Sequence, residues 1–292
     1  MRQMQFGLAP LDAQFIDPGL SRRGFIVTTL ASGFALASGA VLAQAIHTDS
    51  VGLVAGEVDV PVADGKIPAY RAMPAKGGPF PVILVIQEIF GVHEHIKDVC
   101  RRFAKLGYFA IAPELYARQG DVSKMTDVME ILSTVVAKVP DAQVMSDLDA
   151  ALAFARASGH AEGTRVGAVG FCWGGRISWL YSAHNPKLKA AVAYYGLLNG
   201  MVNDVHPKDP VDVAGTITVP VLGLYAGTDD YVKPEVIEKM RGELAAGSSG
   251  SEVVVFPGVH HGFNADYRPT YDKLAADYAW QLAREWLHGH GV

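Results

Sequence analysis

Along most of this chain, short apolar runs alternate with helical periodicities, and few architectures accept that pattern. Val82–Ile86 precedes a helical pattern near His95–Leu106, and Phe109–Ala112 precedes two more, over Lys124–Val139 and Asp141–Ser158. The series continues with Val166–Val169 and a helix from Gly174, then Ala190–Tyr194, then Val219–Ala226 and a helix from Pro234. It closes with Val253–Phe256 and a helix around Tyr271–His288. Strands covered on both faces read as continuous apolar runs, and each parallel crossover needs enough chain to hold a helix. The alternation predicts an α/β fold, a mainly parallel sheet with helices on both faces. Ahead of it, Glu57–Pro61 and Ala69–Ala72 flank the turn dipeptide Asp64-Gly65, which predicts a hairpin. Gly200–Gly215 is the longest irregular segment and reads as a surface loop with no assigned function.

The first 45 residues follow a different chemistry. A polar lead reaches Ser21-Arg22-Arg23-Gly24-Phe25, an uncharged run rich in small residues follows to Leu42, and Ala43-Gln44-Ala45 closes it. Paired arginines, a moderately apolar run and small residues at the end predict a twin-arginine signal peptide over residues 1–45, cleaved after Ala45. A membrane anchor fits less well, because Ser32, Gly33, Ser38 and Gly39 dilute the run. The expectation is export to the periplasm by the twin-arginine machinery, leaving residues 46–292 as one domain. With 50% hydrophobic residues, that length supports a single large core. A net charge of −5, with lysines and arginines scattered, offers no basic stripe for phosphates and argues against a nucleic-acid partner.

In sheets of this kind the chemistry gathers at the carboxyl ends of the strands. After Val166–Val169 comes Gly170-Phe171-Cys172-Trp173-Gly174-Gly175, the pattern of a tight strand–nucleophile–helix turn. Cys172 is the candidate nucleophile, since a helix N-terminus behind it favours thiolate and oxyanion. The other cysteine, Cys100, lies at helical spacing with Ile96, Val99, Phe103 and Leu106 and reads as core. Val219–Ala226 leads into Gly227-Thr228-Asp229-Asp230, and Val253–Phe256 into Val259-His260-His261-Gly262-Phe263. Nucleophile, acid and histidine thus follow three strands in the order used by α/β-hydrolases. Asp229 is the expected orienting acid and His261 the base, with Asp230 and His260 as their neighbouring alternatives. A metal set from His93, His95, His260 and His261 lacks any ligand-spacing motif, so neither a metal nor another cofactor is expected.

Gln87-Glu88-Ile89-Phe90-Gly91-Val92 and Pro113-Glu114-Leu115-Tyr116-Ala117-Arg118, together with the Cys172 turn, Asp229 and His261-Gly262-Phe263, resemble the dienelactone hydrolases (carboxymethylenebutenolidases) from about Gly56 onward. The resemblance implies the α/β-hydrolase fold and a Cys-His-Asp hydrolase that opens an ester or lactone through a thioester. It also implies that Glu88 contacts the resting thiol and helps ionise it. Backbone amides of Ile89 and Trp173 would form the oxyanion hole, and Arg118 would bind a substrate carboxylate. One position departs: the family's second arginine, four residues after the histidine, is Ala265 here, and the nearest arginine is Arg268. That departure bears on dienelactone itself more than on hydrolysis. A non-catalytic exported binding protein on the same fold, or a peptidase or acyltransferase, is the competing reading, and loss of ester turnover in Cys172→Ala separates the first of these.

Overall fold

The computed structural model describes residues 45–292, so the expected signal peptide falls outside the described residues except for Ala45. Strands β1 (Leu53–Val62) and β2 (Gly65–Pro74) form the hairpin around Asp64-Gly65, paired antiparallel from Leu53↔Pro74 to Val62↔Gly65. Strand β3 (Phe80–Ile86) leads to helix α1 (Glu94–Lys105) and β4 (Phe109–Pro113). Helix α2 (Asp141–Ala157), β5 (Ala161–Phe171), α3 (Trp173–His184) and β6 (Ala190–Tyr194) follow. Last come β7 (Val221–Thr228), α4 (Pro234–Ala246), β8 (Glu252–His260) and α5 (Lys273–Gly289). The strands form one sheet in the order β1-β2-β4-β3-β5-β6-β7-β8. From β4 to β8 neighbouring strands are parallel, and β2 meets β4 antiparallel. Strands β4 and β6 are buried at every position, as their unbroken apolar runs demand.

Two expectations need correction. The single helix over Lys124–Val139 is broken into a 3₁₀ turn (Val122–Lys124), an α turn (Val128–Glu130), a π turn (Ile131–Val135) and a second 3₁₀ turn (Val136–Lys138). The apolar spacing was real, for Val128, Ile131, Leu132, Val135 and Val136 are all buried. Local competition breaks the ladder: the Asp127 carboxylate caps the Met129 and Glu130 N–H groups, and the Ser133 and Thr134 hydroxyls donate to the Met129 and Glu130 carbonyls. The segment 200–215 is no mere surface loop. His206 and Asp209 are buried, and His206 Nδ1 lies 3.1 Å from Asp141 Oδ1, which also receives the buried Arg176 at 2.7 Å. The loop is thereby fastened to α3, the helix behind Cys172.

Candidate active site

Register brings the expected site residues together. Ile86 of β3 pairs with Gly170 of β5, Phe171 with Tyr194 of β6, Tyr194 with Leu224 of β7, and Thr228 with His260 of β8. The residues that follow these strands therefore emerge along one edge: Glu88 and Ile89, Cys172, Tyr195, Asp229 and His261. All six are buried.

Cys172 adopts φ 54° and ψ −114°, a conformation that costs a residue with a side chain roughly 1–3 kcal/mol. Two close approaches enforce it. A Cβ on Gly170 would lie 2.0 Å from the Gly174 carbonyl oxygen, and one on Gly174 would lie 2.4 Å from the carbonyl oxygens of Ile86 and Gln87. Glycine at both positions lets strand β5 turn into α3 within two residues. Trp173 opens α3, so its N–H has no acceptor within the helix. Ile89, the other expected oxyanion donor, is buried just past the end of β3, next to β5.

His261 Nδ1 lies 2.9 Å from Asp229 Oδ2, and Asp229 Oδ1 accepts the Tyr231 and Val232 N–H groups at 2.8 and 3.2 Å. Those two bonds orient the carboxylate, which in turn orients the ring. Burial alone would lower the His261 pKa, but the Asp229 charge, the neighbouring Cys172 and hydrogen bonds to both outweigh it and push the value to about 10. Tyr231 and Tyr195 pack against the imidazole with ring centroids 4.8 and 5.0 Å away.

Glu88 stands differently from expectation. Its carboxylate accepts from Tyr267 at 2.5 Å and Arg268 at 3.1 Å and meets His93 Nε2 at 3.2 Å. Burial would raise the Glu88 pKa, yet the Arg268 charge and then His93 hold it far below the usual carboxylate range. So held, Glu88 is not a proton acceptor at neutral pH. Arg118 also differs: four of its N–H contacts go to Asp64 and Asp147, at 2.6–3.1 Å. It ties the β1–β2 turn to α2, and a substrate carboxylate would have to displace one of those aspartates. Arg268 is instead the buried guanidinium whose charge acts on both Glu88 and Cys172.

Arg268, Tyr267, Tyr195 and Tyr231 belong to none of the sequence motifs that mark the site. The Arg268–Glu88 contact spans 180 residues, and no local pattern announces such a pair. Of the four histidines weighed as a metal set, His93, His95 and His261 are each drawn to a separate carboxylate, Glu88, Asp266 and Asp229.

A parallel sheet with a strained cysteine turn, followed by an acid and a histidine on later strands, defines an α/β-hydrolase. The dienelactone hydrolase family model matches residues 67–291. A "Putative carboxymethylenebutenolidase" of Methylorubrum extorquens is 60% identical over 274 residues, 94% of each chain. A protein of the same description from Escherichia coli K12 is 48% identical over 267 residues, 91% of this chain and 98% of that one. The crystal structure of a putative dienelactone hydrolase from Klebsiella pneumoniae superposes with a TM-score of 0.79 at 49% identity, covering 81% of this chain and 98% of that one. The chain belongs to the dienelactone hydrolase family and is a carboxymethylenebutenolidase-like hydrolase of esters or lactones.

Proposed function

We propose that the enzyme opens an ester or lactone through a thioester on Cys172, with His261 as proton carrier and Asp229 as its orienting acid. The observation that carries this reading is the thiol on its strained turn at the same sheet edge as an imidazole that Asp229 holds at 2.9 Å. A histidine raised to about 10 holds a proton at neutral pH that it can give to a leaving oxygen. The thiolate attacks the acyl carbon, and the carbonyl oxygen becomes an oxyanion facing the Ile89 and Trp173 N–H groups. Each such donor is worth about 3–4 kcal/mol in the transition state. The acyl carbon–oxygen bond then breaks, His261 gives its proton to the leaving oxygen, and the thioester remains. Neutral His261 next takes a proton from water, hydroxide adds to the thioester, and the C–S bond breaks to restore thiolate and imidazolium. Turnover of a p-nitrophenyl ester that disappears in Cys172→Ala supports this reading; undiminished turnover in that variant refutes it.

Export is a separate proposal, resting on Arg22-Arg23 and the run that ends at Ala45. Replacing both arginines by lysine should leave the precursor in the cytoplasm, and normal export of that variant would end the proposal.

A further inference from the structure

Tyr195 stands beside the nucleophile without a part in the reaction as described. Phe171 pairs with Tyr194, and the Cys172 N–H donates to the Tyr194 carbonyl at 3.0 Å, so Cys172 and Tyr195 leave adjacent strand ends side by side. Tyr195 has φ 39°, in the left-handed region where a bulky side chain is uncommon, and its N–H donates to the Leu224 carbonyl at 2.8 Å. Its ring is fully buried, edge-on to His261 at 5.0 Å and to Phe263 at 5.4 Å. Its hydroxyl is buried too, and among the described residues no hydrogen-bond partner reaches it. Folded proteins seldom leave a buried hydroxyl unmatched, and one at a reacting centre calls for a ligand acceptor. Burial, then the negative charge of Glu88, raise its pKa well above the usual tyrosine value, so it remains a donor across the working pH range. Cys172 and Arg268 lie in the same electrostatic neighbourhood.

Sheet order indicates which substrate atom this donor meets. Ile89 follows β3 on one side of β5, while Tyr195, Asp229 and His261 follow β6, β7 and β8 on the other. An intermediate on Cys172 with its oxyanion toward Ile89 and Trp173 turns its leaving oxygen toward His261 and Tyr195. We propose that the Tyr195 hydroxyl donates a hydrogen bond to the leaving-group oxygen as the acyl carbon–oxygen bond breaks. The proton transferred to that oxygen still comes from His261; Tyr195 keeps its own and shares the developing negative charge. This inference rests on the Cys172 thioester reading. Its effect grows with the basicity of the leaving oxygen, because a more basic alkoxide gains more from the donor.

The test compares Tyr195→Phe with the unaltered enzyme on a p-nitrophenyl and an ethyl ester of the same acid. Turnover of the ethyl ester should fall roughly ten- to a hundredfold, expressed in kcat more than in KM, and at least about tenfold further than that of the p-nitrophenyl ester. Tm should hold or rise, because the variant removes an unmatched buried hydroxyl. Equal losses on both esters would make Tyr195 a packing residue, and no loss on either would remove it from the reaction; each overturns the inference. If the variant folds less completely, the ratio of the two esters within one preparation still decides, since a lost folded fraction scales both alike. Should Cys172→Ala keep full turnover, the thioester reading fails; if that variant is dead and the ester ratio is unmoved in Tyr195→Phe, this inference alone fails.

Discussion

Replacing Asp229 by asparagine exchanges one carboxylate oxygen for an amide and tests how much of the base depends on charge. The Tyr231 and Val232 N–H groups can keep an oxygen acceptor, which turns the new NH₂ toward His261 Nδ1. The ring must then accept at Nδ1 and carry its proton on Nε2, the wrong tautomer for taking one there. A pKa raised from 6.5 to about 10 means that the site favours the imidazolium by roughly 5 kcal/mol more than water does. Asp229 is the largest of the raising influences, ahead of Cys172, so about half or more of that energy should go with it. We expect kcat/KM for a p-nitrophenyl ester to fall by roughly a hundred- to ten-thousandfold. Stability carries a second signature. A histidine whose folded pKa is raised contributes fully below its unfolded value of 6.5, and the contribution fades as pH rises toward about 10. The unaltered enzyme should lose stability across that window, and Asp229→Asn should show a flatter profile by urea denaturation. Activity within about threefold of the original at every pH, with an unchanged stability profile, would refute the reasoning.

Two further perturbations follow from the ion pairs. Arg118→Ala leaves Asp147 buried without its cation and should cost roughly 1–3 kcal/mol by urea denaturation, with the exposed Asp64 contributing little. The preference between acidic and neutral esters should not move; a collapse of that preference at unchanged stability would return Arg118 to the substrate. Arg268→Met strands the Glu88 carboxylate and should cost roughly 3–5 kcal/mol, much of it recovered in Glu88→Gln/Arg268→Met, so strictly additive losses would contradict the coupling. Because the folded Glu88 pKa is depressed, its share of stability is present above the ordinary glutamate value near 4.3 and declines as pH falls below it, a slope that Arg268→Met should weaken.

The sheet was legible because parallel strands are buried on both faces and leave unbroken apolar runs such as Ala190–Tyr194. The outer part of β5, Ala161–Arg165, was missed since Glu162, Thr164 and Arg165 keep it polar and partly exposed. Cys172, Asp229 and His261 could be found because each follows a strand, and register alone then aligns them. Their electrostatic setting could not be found that way. The nest around Glu88 draws on Tyr267 and Arg268, distant in sequence and joined only when the loop after His261 folds back toward β3. Arg118 shows the converse: a local motif marked it, while Asp64 and Asp147, the residues that occupy it, lie 54 and 29 positions away.

The central claim is a covalent acyl group on one sulfur. Mixing the enzyme with a p-nitrophenyl ester, quenching in acid within the first turnovers and mapping peptides by mass spectrometry reads it directly. The account predicts a hydroxylamine-sensitive acyl adduct on the Cys172 peptide, absent in Cys172→Ala and absent from Cys100, whose thiol burial holds above the usual cysteine range. An adduct on another residue, or full turnover by Cys172→Ala with no adduct anywhere, would contradict it.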